Sequence, residues 1–310
     1  MNSLFLPFAI SAYFLNALAA VVDRRLLKSS IPDPLTFAFY TGITSIGVVV
    51  FVPLILFLGN IRINSYMLSL RLTEVALLSG VFLILAFYFI YTAIKEFDVT
   101  RAVPLTFGVV FPMMTPLFAF LFSKELLSQT ETFAYLCFLL GGIVIAIDMK
   151  NSKEIVSKRL LMLALAGGTT FAIATVLQDY VLSRSDFWTA VIWTRLGAVV
   201  AALLILFTPL RARIRRDQKT ISGASAGIFF GNKIIGASGL LLFNAAQRAG
   251  SVNIASALKG SEFFFVFFLT YIYQLFRGTR AERAEFHRAW GKNMVGVVLI
   301  TVGLYILHAA

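Results

Sequence analysis

Long apolar runs alternate with short polar connections along the whole chain. Each run approaches or exceeds the roughly 17 to 25 residues that an α-helix needs to cross the hydrocarbon core of a bilayer. The pattern predicts ten spans near residues 3–22, 36–58, 72–94, 102–122, 130–148, 160–182, 188–209, 221–246, 251–274 and 291–308. We therefore expect an all-α integral membrane protein that lies almost entirely within the bilayer.

The composition supports this interpretation. Hydrophobic residues make up 59% of the chain and charged residues 14%, whereas soluble domains are roughly 45–50% apolar. The longest polar stretches are 149–159, 210–220 and 275–290, which leaves no room for a soluble catalytic domain. Since no basic segment precedes the first apolar run, we expect it to be retained as an anchor in a multi-pass protein of the plasma (inner) membrane.

Segments of the first half reappear in the same order in the second half. The matches are ALAAVVDRRLL (17–27) with AIATVLQDYVL (172–182), FAFYTGI (37–43) with AVIWTRL (190–196), AIKEFDVTRAVPL (93–105) with AQRAGSVNIASAL (246–258), and GGIVI (141–145) with VGLYI (302–306). They predict two five-helix repeats, over 1–149 and 160–310. Because five is odd, the second repeat would be inverted in the membrane, as in many secondary transporters.

Basic residues are unevenly distributed between the two sets of connections. The net charge is +12, and connections after odd-numbered spans hold 19 lysines and arginines, against 5 after even-numbered spans. The positive-inside rule then places the odd connections in the cytoplasm and both termini outside. This distribution indicates that the basic residues face a lipid bilayer and do not bind nucleic acid.

The end of the first repeat carries the clearest family pattern. Residues 97–148 contain a proline-bearing span, an acidic residue just after it and a glycine-bearing last span, at Pro104, Pro112, Pro116, Glu125, Gly141 and Gly142. The chain resembles the EamA family of the drug/metabolite transporter superfamily over nearly its whole length. The resemblance implies a permease that exports metabolites, with cytoplasmic termini, in contrast to the charge distribution. The second repeat departs from the pattern, since residues 251–286 contain no proline.

Ionisable residues inside spans are costly and therefore indicate functional sites. Lys259 and Glu262 are three residues apart and share a helix face, either as a self-neutralising ion pair or as cavity groups that bind substrate. Lys233 lies near the middle of the eighth span and Arg195 about two turns into the seventh. This excess of cations favours an anionic or amino-acid-like substrate. Alternatively, Arg195 reaches the membrane interface and Lys233 pairs with Glu262.

Other polar residues within spans are weaker candidates. Gln178, Asn244, Gln247, Asn16 and Tyr13 could orient a substrate or form hydrogen bonds between helices. Asp23, followed by two arginines, is expected at the membrane edge. The three prolines of the fourth span should interrupt its hydrogen bonding and make it either a bending element or a kinked scaffold.

The residues favour transport over catalysis. Cys137 is the single cysteine, and the two histidines, His287 and His308, lie in a basic loop and near the C-terminus, so we expect no catalytic residues, no metal and no cofactor. The expected function is export or exchange of a small polar metabolite through a central cavity by alternating access, by a monomer or a homodimer. The alternative is an intramembrane enzyme that acts on a lipid-linked substrate.

Overall fold

A computed structural model describes residues 3–58, 68–97, 99–124, 126–147, 157–218, 222–262, 265–266, 268–269, 272, 295–296 and 298–306. Its regular elements are α1 (Phe5–Ser29), α2 (Pro34–Thr44), α3 (Ile46–Leu58), α4 (Leu70–Phe97), α5 (Val99–Val103), α6 (Phe111–Ser123), α7 (Gln129–Ile147), α8 (Lys158–Leu182), α9 (Phe187–Leu206), α10 (Arg211–Gln218), α11 (Gly223–Ala249) and α12 (Val252–Leu258). A π-helix covers Pro104–Val110 and a 3₁₀ turn covers Lys259–Ser261. The residues described beyond 261 are also helical.

The apolar runs form helices, as the sequence predicts. Within the described residues, seven helical segments are long and apolar enough to cross a membrane: Phe5–Ser29, Pro34–Phe51, Leu70–Phe97, Pro104–Phe122, Lys158–Leu182, Phe187–Leu206 and Gly223–Ala249. A shorter apolar helix covers Gln129–Val144. The expected ninth and tenth spans lie partly outside the described residues, and Glu125 lies outside them. These helices confirm the prediction of an all-α, multi-pass membrane protein.

Polar contacts join several of the connections between spans. Asp33 pairs with Arg213 and Ser30 with Ser225, which link the connection after the first predicted span with the one after the seventh and with the start of the eighth span. Glu96 pairs with Arg159 and links the connections after the third and fifth spans. Arg248 donates to the carbonyls of Leu182 and Ser185 at 3.3 and 2.9 Å and so links the connections after the sixth and eighth spans.

Helices in the two halves begin at a constant separation. Each of α9, α11 and α12 begins 153 residues after α2, α4 and α5, at Pro34 and Phe187, Leu70 and Gly223, and Val99 and Val252. The helices α1 and α8 each contain 25 residues. The separation of 153 residues equals the offset of two of the sequence matches, 37–43 with 190–196 and 93–105 with 246–258.

The fourth predicted span is interrupted where the prolines fall. Proline has no N–H and cannot close the hydrogen bond to the residue four positions earlier, so Pro112 leaves the Gly108 carbonyl free and Pro116 leaves the Pro112 carbonyl free. The π-helix occupies the segment before Pro112, and Gly142 of α7 lies so close to the Gly108 carbonyl that a Cβ there would clash with it. Tyr135 of α7 donates its hydroxyl to the Pro112 carbonyl at 2.6 Å.

The Tyr135 hydrogen bond has a measurable role. We expect Tyr135→Phe to lower stability by about 1 kcal/mol, because a buried carbonyl loses its donor. In a Pro116→Ala background the same change should cost less, since residue 116 then supplies an N–H to Pro112. Thermal unfolding of the four detergent-purified proteins measures this coupling. Equal losses in the two backgrounds would mean that Tyr135 does not replace the missing N–H.

Candidate functional site

A cavity of about 120 Å³ lies among α1, α2, α4, α9 and α11, beside the π-helix and the 3₁₀ turn. Five ionisable side chains line it: Asp23, Arg195, Lys233, Lys259 and Glu262. Several sit far from helix ends, since Lys233 is the eleventh of 27 residues in α11 and Arg195 the ninth of 20 in α9. The cavity therefore lies well inside the helix bundle, and its charged side chains stand among a mostly apolar lining.

Lys233 pairs with Asp23 of α1. Its Nζ lies 2.9 and 3.1 Å from the two carboxylate oxygens and 3.1 Å from the Tyr91 hydroxyl. The Asn232 amide donates to Asp23 at 2.7 Å and to the Ala19 carbonyl at 3.1 Å. Two hydrogen-bonding neighbours thus hold the carboxylate against α11.

Three aromatic rings lie close to the Lys233 ammonium, in addition to Asp23. The ring centroids of Phe37, Phe229 and Tyr91 lie 4.5, 5.0 and 5.1 Å from Nζ. Aromatic faces attract cations, more strongly in a desolvated site. The ammonium is therefore stabilised by one carboxylate and three rings.

The structure bears on two expectations about this pair. Asp23, expected at the membrane edge, is 6% exposed and turned into the helix bundle, six residues before the end of α1. Lys233 does not pair with Glu262, because Asp23 of the neighbouring helix occupies that role. The two arginines after Asp23 suggested an interface, although on a helix they point to other faces.

Lys259 and Glu262 form the second ion pair, as their spacing predicts. Lys259 donates to Glu262 at 2.7 Å, and both side chains are almost fully buried. Lys259 opens the 3₁₀ turn that follows α12, and the Phe107 ring of the π-helix lies 4.5 Å from its Nζ. The second ion pair therefore lies where the two irregular helical segments meet.

Arg195 is the charged lining residue that has no ion-pair partner among the described residues. It is 5% exposed, and its Nη2 atom has no hydrogen-bond partner in that part of the chain. It therefore does not reach the membrane interface, which was the alternative interpretation. The lining holds three cations and two anions, so the expected cationic excess is present but smaller than the sequence suggested.

The remaining candidates divide by position. Asn16 lines the cavity, whereas Tyr13 donates to the Ala255 carbonyl at 2.5 Å and Gln247 to that of Thr175 at 3.4 Å. Gln178 and Asn244 are buried with unpartnered amide atoms but do not line the cavity. Tyr13 and Gln247 thus form hydrogen bonds between helices, and Asn16 is the candidate of this group that lines the cavity.

Sequence reasoning missed Asp23 and Tyr91 as cavity residues. Their position gave little signal, since each lies only six residues before the end of its helix. Where the structure describes the chain, no three histidine, cysteine or acidic side chains come together as a metal site. His287 and His308 lie outside the described residues.

Comparisons with known proteins identify a fold. No protein-family model matches the chain, and no curated protein matches it. Among solved structures, 26 chains match. One protein known from a crystal structure is similar over 99% of this chain and 97% of its own, with a TM-score of 0.67 and 16% sequence identity. This likeness shows that the whole chain shares a known fold.

Proposed function

We propose that the chain is a secondary transporter, an EamA-like permease that moves a small polar metabolite through the central cavity by alternating access. The observation that carries the proposal is the set of five charged residues, four of them buried, around one cavity inside a membrane bundle. Charges at such depth are costly and mark substrate or ion pathways. The meeting of a π-helix and a 3₁₀ turn at the same cavity adds support, because transporter sites are built on discontinuous helices.

The proposed architecture is ten spans in two inverted repeats. The constant separation of 153 residues supports it, and so do two matching hydrogen bonds. Ser79 of α4 donates to the Ala174 carbonyl of α8 at 2.8 Å, and Asn232 of α11 donates to the Ala19 carbonyl of α1 at 3.1 Å. Ser79 and Asn232 are 153 residues apart, and Ala19 and Ala174 are paired by the first sequence match. Equivalent positions thus make equivalent contacts.

The interface between α4 and α9 is more tightly closed than its counterpart in the other half of the chain, between α11 and α2. At Gly80 and Gly197, α4 and α9 approach so closely that a Cβ on either glycine would overlap backbone atoms of the other helix. Their counterparts, α11 and α2, both line the cavity, with Gly236 and Leu240 on one and Thr41 and Thr44 on the other. We infer that alternating access exchanges these two arrangements. In this proposal the odd connections are cytoplasmic, in a plasma (inner) membrane.

Substrate screening and uptake test the proposed function. A thermal-shift panel of amino acids, organic acids, phosphorylated sugars, nucleosides and cationic dyes on purified protein selects compounds for uptake by proteoliposomes. We expect Lys259→Met and Glu262→Gln each to abolish most uptake, because each leaves a buried charge unpaired. Glu74→Gln, at an exposed position outside the cavity, is the control.

Each outcome has a definite meaning. Unchanged uptake in both cavity variants would remove the Lys259–Glu262 pair from the site. Stabilisation by lipophilic cations alone would contradict a cationic cavity. Chemical conversion of a panel compound would favour the intramembrane enzyme.

A further inference from the structure

The net charge of the cavity indicates what its ligand carries. Two of the three cations are matched by carboxylates at 2.9 and 2.7 Å, in the pairs Lys233–Asp23 and Lys259–Glu262. Arg195 remains as one positive charge, 5% exposed, without a counter-charge among the described residues. A buried charge is stabilised when a partner neutralises it. The ligand that completes this site therefore carries one negative charge.

Polar atoms without partners show where that ligand would bind. Three residues of the described lining, Arg195, Asn16 and Asn232, carry a polar side-chain atom without a hydrogen-bond partner in that part of the chain, namely Nη2, Nδ2 and Oδ1, and each of these atoms is itself buried. The Asn232 side chain is oriented by its two donated hydrogen bonds, to Asp23 and to Ala19. A carboxylate accepts from the donors, and a hydroxyl group donates to the acceptor.

The two ion pairs are poor partners for a substrate ammonium. Each carboxylate already accepts from a lysine, and opening either pair would leave a buried lysine without its counter-charge. Aromatic rings surround both lysines, with Phe37 at 4.5 Å from Lys233 and Phe107 at 4.5 Å from Lys259. Among the described residues, the cavity thus provides a cation without an ion-pair partner for an anion but no such carboxylate for an amine.

The cavity has room for a small ligand. It measures about 120 Å³, and an internal cavity of about 150 Å³ holds a molecule as large as benzene. A ligand of about six non-hydrogen atoms therefore fits this space.

We propose that the ligand is a small organic monoanion, such as a short-chain hydroxy acid, whose carboxylate binds Arg195 while both ion pairs stay closed. This inference rests on the proposed transport function and narrows its substrate class. Arg195 is the residue that separates anions from zwitterions.

Lactate and alanine provide a matched pair of probes. They have the same number of non-hydrogen atoms and the same carbon skeleton, but lactate is a monoanion and alanine a zwitterion at neutral pH. We expect sodium lactate to raise the melting temperature of the purified protein in a saturable way, while alanine and sodium chloride at equal concentration do not. Arg195→Gln should weaken the apparent affinity for lactate at least about tenfold, and Arg195→Lys should retain part of it.

A transport measurement on the unaltered protein is independent of these variants. Net uptake of labelled lactate into empty proteoliposomes should be accelerated by an inside-positive potassium diffusion potential, because each ligand moves one negative charge. Stabilisation by alanine equal to that by lactate, or undiminished lactate binding in Arg195→Gln, would each overturn the proposal.

The two proposals fail in different ways. Saturable lactate binding without any uptake would reject the carrier function and keep the ligand class. Uptake of alanine or of a cation without uptake of lactate would keep the carrier and reject the ligand class.

Discussion

Asp23→Ala is expected to lower the stability of the protein by about 3–5 kcal/mol, because Lys233 would remain buried without its counter-charge. The pair is 2.9 Å apart, and its side chains are only 8% and 11% exposed. The Asn232 amide would lose an acceptor at the same time. This variant should also lose transport, since the cavity would gain an uncompensated cation.

A double-mutant cycle separates the charge from the packing. Lys233→Met in the Asp23→Ala background removes the unpaired charge, so we expect the double variant to be more stable than Asp23→Ala alone. Thermal unfolding in detergent measures all four proteins. The single and double variants would be equally unstable if the loss came only from the cavity left by the aspartate.

A surface ion pair provides the matched control for this cycle. Arg159 and Glu96 are 3.2 Å apart, but their side chains are 61% and 36% exposed. Exposed pairs contribute roughly 0–1 kcal/mol. Glu96→Ala should therefore have a small effect, and a loss comparable to that of Asp23→Ala would contradict the role given to burial.

Gly80→Leu is expected to prevent α4 and α9 from packing and to leave little folded protein. At Gly80 even a Cβ would overlap the backbone of Thr194, Gly197 and Ala198, and backbone atoms cannot move aside as a flexible side chain can. Small residues allow such close approach of membrane helices. Gly80→Ala should be milder, with a loss of about 1–3 kcal/mol from overpacking.

The control for this substitution is Gly231 of α11. It is exposed, and nothing lies within 4 Å of a Cβ placed there. Gly231→Leu should purify as well as the unaltered protein. Monodisperse yield and melting temperature measure both variants, and a Gly80→Leu protein as stable as Gly231→Leu would show that the helices separate without cost.

The interface at Gly80 also matters for the transport cycle. It is the closed counterpart of the α2–α11 region that contains the cavity, so in the proposed mechanism it must open. A substitution that loosens it without unfolding the protein, such as Gly80→Ala, is therefore expected to alter uptake as well as stability.

Periodicity could not predict which charges meet in the cavity. The Lys259–Glu262 pair was predictable because both residues lie on one helix, where three residues bring side chains to the same face. The Asp23–Lys233 pair joins positions 210 residues apart, and the packing of α1 on α11 had to be known first. Without it, Asp23 resembled a residue of the membrane edge.

The irregular helical segments also separate what the sequence predicts from what depends on the packing of helices. Pro112 and Pro116 predict missing hydrogen bonds wherever they stand in a helix, and the fourth span is indeed irregular. The donor that replaces one of these bonds, Tyr135, comes from another helix. No proline in the sequence predicts the 3₁₀ turn at Lys259. This turn lies beside the π-helix.

The sequence by itself determined the helices and their apolar character, because these follow from local hydrophobicity. The tertiary structure alone decided the partners of the charges in the cavity, the placement of Asp23 there and the lack of an ion-pair partner for Arg195 among the described residues. Those properties depend on contacts between helices far apart in the chain, which a one-dimensional pattern of polar and apolar residues does not encode.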